Sequence, residues 1–165
     1  MSWEAAYHEA GHAVAAYLSL FHGVGIGAIS LGAFGSGAAD VRLSRKKVQA
    51  AGKAADATIE RDPDVAVSLC TVLAAGFAAE LVAASKGVDL EPNPSCSAPD
   101  RAWLVAQASA ADIPADVAAY EMQAKVLLER EWPQVEKLAR RLMQQGTIDG
   151  VDVEILLQAT YGPRP

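Results

Sequence analysis

Apolar positions at the start of the chain follow a helical period. Tyr7, Ala10, Val14, Tyr17 (or Leu18) and Phe21 recur at three- and four-residue steps, which predicts a helix over residues 3–21. Six glycines then interrupt the chain between His22 and Gly37. On either side of the turn Gly32–Gly37, Val24–Leu31 and Ala38–Leu43 read as two short strands of a hairpin. Residues 46–60 read as a polar, exposed helix weakened at Gly52. Asp62-Pro63-Asp64 is a strong helix start: a capping acid, a proline in the first turn and a second acid favoured by the dipole. The helix that follows is apolar on every face to Ser85 and stops at Lys86-Gly87, so it belongs in the middle of the fold. Beyond a proline-rich loop, Glu91 to Pro99, helices are expected over about 98–110, 115–131 and 134–145, with a break at Trp132-Pro133 and a stop at Gly146. A last short helix follows Thr147–Gly150. No repeat or boundary divides residues 1–165, so the expectation is one mainly α domain with a small β-hairpin.

Composition narrows the functional classes. The 165 residues suit one core, and 52% apolar against 21% charged residues is ordinary for a globular chain. The formal net charge of -6 argues against nucleic acid, and Arg45-Lys46-Lys47 is too short a basic cluster to alter that. Val65–Ala79 is uncharged but shorter than the roughly 20 residues a membrane span needs. Asp62 and Asp64 close one side of it and Glu80 the other, so a buried core helix and no membrane span are expected. No Lys or Arg precedes Arg42, which is the wrong order for a signal peptide. Cys70 and Cys96 read as free thiols in a reducing, cytoplasmic setting.

The chemistry lies in the first helix. His8-Glu9-Ala10-Gly11-His12 is an HExxH pattern, and residues four apart share one helix face. Both imidazoles can therefore reach one zinc ion, and Glu9 stands where it can take a proton from a zinc-bound water. Gly11 costs about 1 kcal/mol against Ala inside a helix, which points to a close approach by another element. A catalytic zinc needs a third protein ligand. Position 18, where a longer zinc motif would carry a third histidine, is Leu18. The remaining candidates are His22, Glu80, Asp89, Glu91 and Asp100. Read by itself, Asp100 also suits a purely structural role, three residues after a Ser97 cap in the first turn of its helix.

Taken together, these blocks resemble the peptidase domain of FtsH-type ATP-dependent zinc metalloproteases. His8-Glu9-Ala10-Gly11-His12-Ala13 matches that family's HEAGHA, and Gly76-Phe77-Ala78-Ala79-Glu80 is similar to its G-x-x-A-E helix, with Phe77 where arginine is usual. Ser95-Cys96-Ser97-Ala98-Pro99-Asp100 is similar to S-T-G-A-x-x-D, one residue shorter. Leu138-Ala139 and Gly146-Thr147-Ile148-Asp149-Gly150 resemble the closing L-A…E-T-L-D-G element. The resemblance spans residues 7 to about 157 and implies Asp100 as the third zinc ligand. It also implies that Val24–Leu31 offers an edge strand to an extended substrate.

Glu80 is the alternative third ligand. As the only charge between Asp64 and Lys86, it needs a partner in a buried helix, and we expect it to hydrogen-bond the outer nitrogen of a zinc-bound histidine. Gly76 lies one turn earlier on the same face, which would let this helix approach the Gly11 helix closely.

The family's ATPase module is not in this chain: no G-x-x-x-x-G-K-[ST] phosphate loop occurs. With Met1 as first residue, a stand-alone relative is expected. The expected function is zinc-dependent metalloendopeptidase on peptides or unfolded protein segments, with any unfolding supplied by a separate ATPase. The alternative is a non-catalytic peptidase-like module that binds protein partners. A homo-oligomer is compatible with the Ala-rich helices. A deformylase-type site would need a cysteine ligand after a glycine, and neither cysteine has one.

Overall fold

Helix α1, Trp3–Leu18, starts where Ser2 caps it, its hydroxyl accepting the Ala5 N–H at 3.3 Å, an interaction worth about 1 kcal/mol. It ends at Leu18 rather than Phe21. The Ser19 hydroxyl accepts the N–H groups of Phe21 (3.1 Å) and His22 (2.9 Å) and turns the chain out of the helix. The computed structural model describes residues 2–31, 37–38 and 40–165, and among them it has seven helices and five short strands. The chain is thus mainly α, as its patterning predicts.

The expected single hairpin is instead two small sheets. Strand β1, His22–Val24, pairs antiparallel with β4, Val41–Leu43. Strand β2, Ala28–Leu31, pairs with β3, Gly37–Ala38, in a different register, because Gly25-Ile26-Gly27 forms an excess on the first arm. The excess frees β2 to accept a second neighbour, β5, Thr147–Asp149, through Ala28↔Asp149, Ile29↔Ile148 and Ser30↔Thr147. Most of the Gly-rich turn, residues 32–36, lies outside the described residues. Since β2 is paired on both sides, the expectation that Val24–Leu31 presents a free edge is corrected: its second half is the centre of a sheet.

Helix α2, Arg45–Ala50, is shorter than expected over 46–60 and is not wholly exposed, for Lys47 and Val48 are buried. The Lys47 ammonium reaches the open end of α1 and donates to the carbonyls of Tyr17 (2.7 Å), His22 (2.6 Å), Ser19 (3.0 Å) and Ala16 (3.3 Å). A cation suits the negative end of a helix dipole and satisfies carbonyls the helix leaves unbonded. Burial, followed by the charge of Arg164, pushes Lys47 down to about 8, so the ammonium form still dominates at neutral pH.

His22 lies beside this ammonium, 1% exposed, with Nδ1 3.2 Å from the Ser68 hydroxyl. Burial, reinforced by Lys47, pushes its pKa from 6.5 down to about 4. As pH falls below 6.5 the unfolded chain takes up this proton before the folded one. His22 therefore costs no stability above 6.5, and stability is lost progressively down to about 4. The loss should reach about 3 kcal/mol in urea unfolding between pH 7 and 4, from the size of that shift. His22→Asn should flatten the profile by that amount, and parallel wild-type and variant profiles would contradict this origin.

Helix α3, Pro63–Ser85, begins as expected with the Asp62 carboxylate accepting from Asp64 (3.0 Å) and Val65 (3.4 Å). It is long and apolar enough to cross a membrane, yet 78% of its most apolar 18-residue window is buried against the rest of the fold. It packs on α1, on α4 (Ala98–Ala110) and on α5 (Val117–Arg130). Helix α6, Trp132–Gln145, buries Trp132, Val135, Leu138, Ala139 and Leu142 on one face, and Trp132 stacks on Tyr7 of α1 at 5.3 Å. Pro133 sits in its first turn, so the expected break separates two helices rather than kinking one. Gly146 ends α6 at φ 74°, a left-handed conformation that favours glycine. Thr147–Asp149 is β5, and the last helix, α7, covers Gly150–Tyr161.

Candidate metal centre

Two glycines bring α1 and α3 close enough to build a site between them. A methyl group at Gly11 would collide with the Ala75 carbonyl oxygen and with Ala79 of α3. A methyl at Gly76 would stand 2.5 Å from Nε2 of both His8 and His12. The bare backbone of α3 at Gly76 is thus the floor on which the imidazoles rest. Along the chain this glycine reads only as a packing residue, and nothing in the pattern places it under the rings.

The two imidazoles are held by their outer nitrogens. His8 Nδ1 is 2.7 Å from Glu80 Oε1, and His12 Nδ1 donates to the Val72 carbonyl at 2.8 Å. Glu80 is fully buried, so its carboxylate is committed to this contact and to the Asn93 N–H, which it accepts at 2.8 Å through the other oxygen. Glu80 therefore sits behind His8 rather than among the converging donors. With Nδ1 of both rings engaged outward, the two Nε2 atoms face one point.

The third group at that point is Asp100. Its Oδ2 is 3.0 Å from His8 Nε2 and 3.5 Å from His12 Nε2. The Ser97 cap is not formed: its hydroxyl donates to the Pro94 carbonyl at 2.9 Å instead. Asp100 does stand in the first turn of α4, but its carboxylate faces α1. Burial raises its pKa, and hydrogen bonds to His12 and His8 outweigh that, holding the carboxyl well below the ordinary carboxylate range. The other sequence candidates stay away from this point. Asp89 and Glu91 are exposed in the loop, and His22 is bound up with Ser68 and Lys47.

These three side chains fit a zinc ion on their chemistry and spacing. Donors about 2.0–2.1 Å from a tetrahedral zinc stand roughly 3.3 Å apart, close to the separations from Asp100 to each ring. Among the described residues, His8, His12 and Asp100 are the one group whose donor atoms converge, all within 4.8 Å. Electrostatics agree. Three carboxylates, Glu9, Glu80 and Asp100, surround two rings that are 7% and 6% exposed, an excess of negative charge that a dication offsets. Burial lowers the pKa of His8, but hydrogen bonds to Asp100 and Glu80 and the charge of Glu9 overcome it and bring it up to about 9. The His8 position is therefore built to favour positive charge, whether a proton or a metal.

No model of a known protein family matches this chain, and no curated protein does either.

Glu9 is 4% exposed and follows His8 directly on α1. Burial pushes its pKa up, only partly countered by His12 and His8. Among the described residues its carboxylate makes no hydrogen bond, and the charges that act on it are those of His12, His8, Asp100 and Glu80. A buried carboxylate with raised basicity is a candidate for general-base chemistry.

The support from Glu80 has a measurable consequence. Glu80→Gln keeps the shape but weakens the acceptor for His8 Nδ1. Zinc affinity, measured by chelator competition, should fall about 10- to 100-fold with the site still able to fill. An unchanged affinity would remove Glu80 from the site.

Proposed function

We propose that this protein is a zinc-dependent metalloendopeptidase in which His8, His12 and Asp100 hold the metal and Glu9 is the general base. One observation carries the reading: both Nε2 atoms and Asp100 Oδ2 converge while Glu80 and the Val72 carbonyl occupy the outer nitrogens. A helix surface with two unrelated histidines has no reason to satisfy that arrangement. The similarity of His8–Ala13 and of the Gly76–Glu80 helix to FtsH-type peptidases points the same way.

When bound, zinc supplies Lewis-acid chemistry, making water more acidic and polarising a peptide carbonyl. The protein's own residues do the rest. His8 and His12 would offer Nε2 to the metal, His8 giving up the proton its surroundings otherwise favour, while their Nδ1 atoms stay engaged. Asp100 adds a carboxylate that stays ionised. Glu9 accepts the proton of the attacking water and returns it to the leaving amine as the C–N bond breaks. The substrate class proposed is peptides and unfolded segments, in a cytoplasmic setting, with any forced unfolding left to a separate ATPase partner.

The test is metal content and cleavage measured together. The purified protein should carry one zinc per chain and cleave casein, losing both to a chelator and regaining both with added zinc. Zinc without cleavage would favour the non-catalytic module, and no zinc after reconstitution would overturn the metal reading.

A further inference from the structure

Helix α4 carries Asp100 but has a slender hold on the fold. Of its 13 residues, only Leu104 and Ala108 are buried, and its cap residue Ser97 makes no side-chain bond to it. Arg101, the residue after Asp100, ties its first turn to the neighbouring helices. Its guanidinium lies over the Phe77 ring of α3, 4.5 Å from the centroid. The same group binds Glu121 of α5 through two nitrogens, Nε at 2.8 Å and Nη2 at 2.7 Å. The Arg101 and Glu121 side chains are 31% and 17% exposed, so the pair is more sheltered than a surface ion pair.

Successive residues of a helix project about 100° apart. Asp100 reaching α1 and Arg101 reaching α3 and α5 therefore restrain both the distance of the first turn and its rotation about the helix axis. Phe77 belongs to the same helix as Gly76, the floor of the imidazole pair. The clamp thus references the carboxylate to the element on which the rings rest.

We propose that Arg101 and Glu121 are positioning residues that set the Asp100 carboxylate beside His8 and His12, an inference that rests on the zinc reading above. Neither touches the metal position. They act through α4, and a loss of the clamp lets the third donor drift while the histidine pair stays in place.

The experiment is zinc titration of the full chain by chelator competition, with cobalt absorption as a second readout of coordination. Arg101→Ala and Glu121→Ala should each weaken zinc binding about 10- to 100-fold, the range for residues that orient ligands. The tetrahedral cobalt bands should lose intensity. Arg101→Lys should recover only part, since an ammonium neither forks nor stacks as a guanidinium does. In an Asp100→Ala background, adding Arg101→Ala should change zinc affinity no further, and thermal unfolding of each metal-free variant checks that it is folded. Wild-type affinity in Arg101→Ala, or an equal loss with and without Asp100, would overturn the clamp and leave the zinc reading standing. A wild-type chain that binds neither zinc nor cobalt would overturn both.

Discussion

Glu9→Gln should keep its zinc and lose its peptidase activity. The substitution conserves volume in a position that is 4% exposed, so the packing of α1 on α3 is undisturbed. Glu9 lies outside the group of converging donors, so the variant should still bind one zinc per chain. An amide cannot take a proton from water, and the carboxylate whose basicity burial had raised is gone. General base catalysis contributes about 10²- to 10⁴-fold, and casein cleavage should fall by at least that factor. Metal content and cleavage rate on the same preparation decide the matter. A variant that cleaves as fast as wild type would remove Glu9 from the chemistry. One that cannot bind zinc would make Glu9 a structural part of the site.

The second large effect is expected at Gly76. The methyl of Gly76→Ala would stand 2.5 Å from Nε2 of both His8 and His12, closer than real methyl contacts come. The rings have no free direction in which to yield. Glu80 and the Val72 carbonyl hold their outer nitrogens, and Gly11 has already brought the two helices together. The donors must then part, and zinc affinity should drop on the order of 100-fold. Stability moves less, because opposing changes meet there. Alanine favours the helix by about 1 kcal/mol over glycine, while overpacking costs about 1–3 kcal/mol. Zinc titration beside thermal unfolding of the metal-free protein separates the two quantities. Full zinc affinity in a folded Gly76→Ala variant would show that the imidazoles do not rest on this backbone.

Both results depend on features that differ in how visible they are along the chain. Glu9 is conspicuous in the HExxH spacing, because helix periodicity converts a four-residue step into a shared face whatever the rest of the fold does. Gly76 reads only as a glycine that lets its helix approach another closely. Its meaning depends on which side chains of another helix lie across from it.

The sequence by itself determined the local elements and the paired histidines. Capping at Asp62, apolarity around α3, the break at Trp132-Pro133 and the glycine that ends α6 are short-range effects, and α3 and α6 fall close to where those effects put them. Glu80 as partner to a histidine was also legible, since a lone carboxylate in a buried helix cannot remain unpaired. Tertiary structure decided how the strands pair. β5 is three residues that look like a helix approach until β2 stands beside them, and pairing between distant segments leaves no periodic trace in so short a stretch. It decided the place of Lys47, whose ammonium closes α1 from a helix that reads as solvated. It also chose among the acids: Asp89 and Glu91 stay in the loop while Asp100 turns inward. The loop between α3 and α4 is long enough to present several carboxylates, and its tie to Glu80 through Asn93 and the hold of Arg101 on Phe77 and Glu121 are long-range contacts that no local pattern announces.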